Sequence, residues 1–312
     1  MKYGIIEYIT TTIVIVYFSM VYNMEAFAQN MNGVLVHEIT KDLFEIKMDN
    51  ISFVVKRDGG KIISFKYGDT EILAPRNIHN MYGSTLWPDP QSSWNWPPPP
   101  VLDENPYEGG IKENSIDLIS EKDKSTGWQF QKIFSPSAVD TSISIVYRIK
   151  NISNKPKSVG AWEITRVPVG GLTFFKQGKP ADLPASDLNN ISIDDGIVWY
   201  QPDNTPFPEG RKFFSTEAGG WLAHIYKNLL FIKKFPTIDL KYLAKGQGPI
   251  EIYGKGDKSY IEIENHGEHK ELLPGQVLEY TVKWYLRMLP ADMEASPKNK
   301  ILPAIVSDIV KN

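Results

Sequence analysis

From Phe44 onward the chain alternates apolar and polar residues with a period of two and shows almost no helical period, which restricts the fold to β-sheets. Phe44, Ile46 and Met48 alternate with Glu45 and Lys47, the mark of a strand with one face toward a core. Residues 51–56 and 61–67 are β-rich runs joined through Arg57-Asp58-Gly59-Gly60. That joint predicts a hairpin, because its glycines supply positive φ. Gly68-Asp69 turns the chain into a run at 70–73. Further strands are predicted at 115–121, 128–134, 141–150, 158–167, 197–200, 221–227, 229–235, 260–265 and 278–289, with a short terminal helix at 304–310. Strands at this regular spacing predict an antiparallel sandwich.

Two long stretches break the pattern. Leu86 to Gly110 holds Trp-Pro-Asp-Pro and a four-proline run, and Gly170 to Asp195 is rich in Gly, Pro, Asp and Asn. Loops of this length are commonly functional or disordered. The first carries Trp87, Trp94, Trp96 and Tyr107, aromatics that disordered segments lack, and it reads as an ordered loop folded over a surface.

At the N-terminus, Lys2 precedes an apolar run from Tyr8 to Tyr22, followed by Ala26-Phe27-Ala28. This predicts a signal peptide over 1–28, a mature chain starting near Gln29, and a periplasmic or secreted protein. The run is about fifteen residues against the roughly twenty of a spanning helix, and no second one follows, so no stable membrane insertion is expected once it is removed. Residues 29–312 read as one large all-β domain. The chain has no cysteine, which excludes a disulfide framework, a lipidated cysteine and thiolate chemistry. A net charge of −3 offers no basic footprint for nucleic acid. There is neither a Gly-rich phosphate loop nor a Gly-x-Ser-x-Gly elbow.

In the late strand, Ile261 and Ile263 face the core while Tyr260, Glu262 and Glu264 share the opposite face. Residues two apart on a strand are separated by roughly 6.5 to 7 Å, so one carboxylate can act as a base while the other holds a hydroxyl. The plainer reading is a solvated face decorated with glutamates. On 158–167 either Trp162, Ile164 and Arg166 or Glu163 and Thr165 face a cleft; the sequence leaves the register open. Arg166 could clamp an acidic ligand or pair with a neighbouring glutamate. Trp87, Trp94 and Trp96, with Asp89 and Gln91 between them, combine flat apolar faces with hydrogen-bonding groups, as sugar recognition requires. The alternative is a proline-stiffened lid whose tryptophans bury into the sheet. Glu264, His266, Glu268 and His269 read as a charged turn rather than a metal set, and neither metal nor cofactor is expected.

Gly59-Gly60-Lys61-Ile62-Ile63-Ser64-Phe65, the segment Gly83-Ser84-Thr85-Leu86-Trp87-Pro88-Asp89-Pro90-Gln91 and Trp162-Glu163-Ile164-Thr165-Arg166-Val167-Pro168 together resemble an uncharacterised group of bacterial exported proteins related to galactose mutarotases. The resemblance covers most of the mature chain. It implies a galactose mutarotase-like β-supersandwich with a sugar site on its concave sheet face, and a late-strand base at Glu264. Aldose 1-epimerases use a histidine as general acid; where their site strand carries it, this chain has Trp162, Glu163 and Arg166. The expectation is an exported carbohydrate-binding protein, with Glu262 and the loop side chains holding the saccharide. One alternative is an aldose 1-epimerase with Glu264 as base and Arg166 or Glu163 in place of the usual acid. Another is a structural or interaction protein of the cell envelope.

Overall fold

The period-two pattern becomes two antiparallel sheets packed face to face. The computed structural model describes residues 33–75, 81–179, 183, 186–202, 210–216 and 219–311; the predicted signal segment lies outside them. Strands are numbered along the chain. The first sheet opens with β1 (Val34–Thr40), β2 (Leu43–Met48), β3 (Ile51–Lys56) and β4 (Lys61–Tyr67), with β5 (Thr70–Glu71) on β4. It continues through β6 (Ser84–Asp89), β11 (Lys157–Val167), β19 (Ile261–His266), β18 (Ile250–Gly254) and β15 (Arg211–Ser215), and β20 (Lys270–Leu272) pairs with β11.

The second sheet begins β13 (Ile191–Asp194), β14 (Ile197–Tyr200), β12 (Leu172–Lys176), β16 (Trp221–Tyr226) and β17 (Leu229–Lys234). It ends β21 (Val277–Met288), β10 (Ser142–Asn151), β9 (Trp128–Ser137), β8 (Ser115–Ile119) and β7 (Glu108–Lys112). The inward faces interlock through aromatic rings: Phe53 meets Trp284 at 5.8 Å and Phe65 meets Phe231 at 5.7 Å between centroids. Such edge-on contacts suit the ring quadrupoles, and the area they bury is the main driving force for the sandwich. A C-terminal helix (Ile301–Val310) buries Leu302 and Val306.

The predicted hairpin forms as β3 and β4, with a register shift between Val54 and Val55. Gly59 (φ +66°) and Gly60 (φ +53°) take the left-handed conformations expected of them. The two stretches read as irregular are partly wrong: β6 and β7 occupy or flank the first, and β12 and β13 lie in the second. All six residues of β6 are buried, so it lacks the alternation that reveals a half-buried strand. Pro88 is tolerated there because β6 meets β4 only at Ser84 against Ile62, leaving the far half of that side without a strand partner among the described residues.

Candidate functional site

The site lies on the face of the first sheet turned away from the second. Three rows of side chains cross its strands. Trp87 on β6 stands opposite Trp162 on β11, which stands opposite His266 on β19. The next row runs Ile164, Glu264, Glu251 and Phe214, and the third runs Arg166, Glu262, Tyr253 and Lys212. Residues two apart on each strand share this face, so strict alternation on four neighbouring strands is what gathers the groups. Part of each row borders a cleft of about 480 Å³ whose lining includes Trp87, Trp96, Trp162, Lys212, Glu262 and Glu264. Gln91, Tyr253, Lys255 and Tyr260 also reach it. A cleft of this size falls in the range of small-molecule sites.

The floor carries a connected run of charges, buried except for the half-buried Lys212. Glu264 Oε2 accepts from Trp162 Nε1 at 2.7 Å and from Lys212 Nζ at 3.0 Å. The same ammonium lies 2.5 Å from Glu251 Oε2. Glu251 Oε1 lies 3.4 Å from His266 Nε2, and His266 Nδ1 lies 3.3 Å from Asp89 Oδ2. Burial works against the charge on His266, but Glu251 and Asp89 outweigh it and hold the imidazolium pKa above its usual value. Burial likewise opposes the Lys212 ammonium, and Glu264 and Glu251 overcome it and keep the group charged. Burial pushes the Glu251 carboxyl up against the pull of His266 and Lys212, with Glu264 adding to the rise. Glu264 Oε1 is buried and has no hydrogen-bond partner among the described residues.

A second ion pair closes one side. Arg166 NH2 is 2.8 Å from Glu262 Oε1, and the guanidinium lies between the rings of Trp87 and Tyr260, at 5.5 and 5.6 Å from their centroids. Burial opposes the Arg166 charge, yet Glu262 and Tyr260 leave its pKa above the ordinary value. Burial pushes the Glu262 carboxyl up, Arg166 pulls it down and Glu264 adds to the rise.

The structure therefore brings together Glu264, Glu262, Trp87, Gln91 and Trp96 at the cleft. It settles the register of β11: Trp162, Ile164 and Arg166 face the site, while Glu163 and Thr165 point between the sheets. Glu163 accepts from Tyr147 Oη at 2.7 Å and pairs with Lys233 at 2.8 Å. The expectation that Glu163 stands in for an acid in the cleft is corrected accordingly. Arg166 sits behind Glu262, and a guanidinium whose pKa is raised further is a poor proton donor, so the acid role does not suit it either. Trp94 is buried, donates to Pro88 O at 2.7 Å and packs edge-on against Trp87, anchoring the loop rather than lining the cleft. Asp89 is fully buried beneath, against His266.

His266 was expected in a charged turn, but it ends β19, is buried, and stacks on Trp162 at 5.4 Å and 17°. Lys212, Tyr253 and Glu251 were not singled out from the sequence. Ile250-Glu251-Ile252-Tyr253 has the same alternation as the late strand, so its polar face was readable. Among the described residues, Glu251, Glu264 and His266 offer ligand atoms all within 4.8 Å of one another, a spacing open to a metal ion.

No family model matches the sequence, and no curated protein does. Solved structures do match the fold. A galactose mutarotase-like protein from Lactobacillus casei aligns with TM-score 0.55 at 9% identity, over 82% of this chain and 100% of that one. A galactose mutarotase related enzyme from Lactobacillus acidophilus aligns with TM-score 0.54 at 11% identity, over 83% and 100%. A galactose mutarotase-like protein from Clostridium acetobutylicum aligns with TM-score 0.54 at 11% identity, over 82% and 99%. The chain has the galactose mutarotase-like β-sandwich fold.

Proposed function

We propose that the cleft binds a saccharide and that the protein is an exported carbohydrate-binding protein. One observation carries the reading: the exposed indole of Trp96, packed edge-on against Trp87, borders the same cleft as Glu264, whose buried Oε1 has no hydrogen-bond partner among the described residues. A pyranose presents C–H faces that pack on indoles and hydroxyls that need acceptors. A pocket with apolar walls and a few placed polar groups meets both needs. The fold shared with galactose mutarotase-like proteins supports the same ligand class. The Lys2-led apolar run ending in Ala26-Phe27-Ala28 supports export, which N-terminal sequencing of the protein from its native host tests.

The binding test is tryptophan fluorescence of the folded protein titrated against a panel of neutral and acidic sugars, repeated on Trp96→Ala. Saturable quenching that Trp96→Ala weakens by about tenfold or more, the usual cost of removing an aromatic anchor, supports the reading. No response to any sugar in a folded sample sinks it and favours a structural role in the envelope.

A second reading, aldose 1-epimerase activity, is favoured by the pairing of Glu264 with Glu262 on one strand face. Glu264 is pinned by Lys212 and Trp162, while burial raises the Glu262 carboxyl. Two carboxyls in unlike surroundings are a common acid–base arrangement. Exchange NMR on the anomers of a bound aldose separates the readings: accelerated interconversion lost in Glu264→Gln supports an enzyme, and unchanged interconversion a binder.

A further inference from the structure

We infer that Lys212 is a built-in cation, filling the position a metal ion would otherwise take among Glu251, Glu264 and His266 and thereby fixing the carboxylate of Glu264, which lines the cleft, as an acceptor. The positioning role rests on the saccharide reading above; the occupancy of the cluster does not.

Two carboxylates and an imidazole are the donor set of a zinc-type site, and here one ligand atom from each of the three lies within 4.8 Å of the others. Asp89 Oδ2, 3.3 Å from His266 Nδ1, stands where such sites place an outer carboxylate that orients the ring. Yet Lys212 Nζ lies 2.5 Å from Glu251 Oε2 and 3.0 Å from Glu264 Oε2. An ammonium that close to both carboxylates and a divalent ion held between those same two side chains exclude each other by charge.

The lysine comes from β15, an edge strand, and lays its ammonium 4.9 Å from the centroid of the Trp162 ring. Trp162 and Lys212 both donate to Glu264 Oε2, which holds the carboxylate plane. Oε1, buried and without a hydrogen-bond partner among the described residues, is then the free acceptor beside the cleft. A ligand hydroxyl meeting that oxygen finds it already oriented, and the orientation costs nothing at the moment of binding.

The test is calorimetric titration of zinc chloride, and separately of the saccharide found in the panel, into wild type, Lys212→Ala and Lys212→Arg at neutral pH. Wild type and Lys212→Arg are expected to take up no zinc at the cluster. Lys212→Ala is expected to gain a zinc site and to lose about tenfold or more in saccharide affinity, as truncating one partner of a buried charge pair does. Lys212→Arg, whose guanidinium keeps a cation between the carboxylates, is expected to bind saccharide within a few-fold of wild type. Zinc uptake by wild type that Glu251→Gln abolishes overturns the inference, and so does a folded Lys212→Ala with wild-type saccharide affinity and no zinc site. If Lys212→Ala does not fold, Lys212→Thr, whose β-branched side chain suits a strand and is too short to reach the carboxylates, takes its place with the same expectations. If wild type binds no saccharide, the proposed function fails, while the zinc titrations still decide whether Lys212 fills the cluster.

Discussion

The indole of Trp162 donates from Nε1 to Glu264 Oε2 at 2.7 Å while its ring lies almost parallel to the imidazole of His266. One side chain thus ties the aromatic wall of the cleft to the charged floor. Trp162→Phe keeps an aromatic ring against Trp87 and His266 and removes the donor. A hydrogen bond to a charged acceptor contributes about 1.5–3 kcal/mol, and a loss of that order in urea unfolding is expected. A variant as stable as wild type would mean that the bond is not formed in solution.

Glu163 and Lys233 are both fully buried between the sheets and 2.8 Å apart. Burial lowers the lysine pKa, Glu163 working against that fall. Removing one partner strands the other, so Glu163→Ala is expected to cost about 3–5 kcal/mol, while a paired replacement by apolar residues costs far less. Chemical denaturation of the single and double variants reads this directly. Saccharide affinity of folded Glu163→Gln should be unchanged, since Glu163 faces away from the cleft.

His224 is buried with Nδ1 2.9 Å from Thr173 Oγ1, and burial alone pushes its pKa down to about 3 from an unfolded value of 6.5. Between those values the unfolded chain binds a proton that the folded one does not. Stability contributed by the neutral ring is therefore present above pH 6.5 and is lost as pH falls toward 3. Each pH unit in that window costs about tenfold in the folding equilibrium for this one site. Urea midpoints from pH 4 to 7 should fall more steeply for wild type than for His224→Gln; parallel curves would count against a neutral buried imidazole.

Gly59 has φ +66°, and a Cβ there would lie 2.0 Å from Asp103 O. Asp103 in turn accepts from Trp87 Nε1 at 3.1 Å, from Thr85 at 2.8 Å and from Lys61 at 2.9 Å. Gly59→Ala combines an unfavourable φ with a backbone clash and should destabilise by about 2 kcal/mol or more. Because the push passes through Asp103 to Trp87, the tryptophan emission of the folded variant should shift as well. An unchanged spectrum would place the strain elsewhere.

The hairpin at Gly59-Gly60, the strands from β8 to β10 and the late strand with Glu262 and Glu264 turned from the core were all legible from alternation and turn residues. The strand β6 was not, because burial on both faces removes the alternation and its proline imitates a loop. The register of β11 was not either: Trp162-Glu163-Ile164-Thr165-Arg166 carries large or polar residues on both faces. Local pattern offers no preference there, and a slip of one residue exchanges the faces.

Residue identity along the chain, read with a period of two, sets the strand class, the hairpin and the outward direction of Glu262 and Glu264, since those depend only on each strand's own geometry. The meeting of Lys212 with Glu264 and Glu251, of His266 with Asp89, and of Glu163 with Lys233 was decided by which strands became neighbours. These partners lie 39 to 177 positions apart in the chain. Long-range strand pairing, rather than any local motif, brings such groups within hydrogen-bonding distance, and burial then fixes their charges.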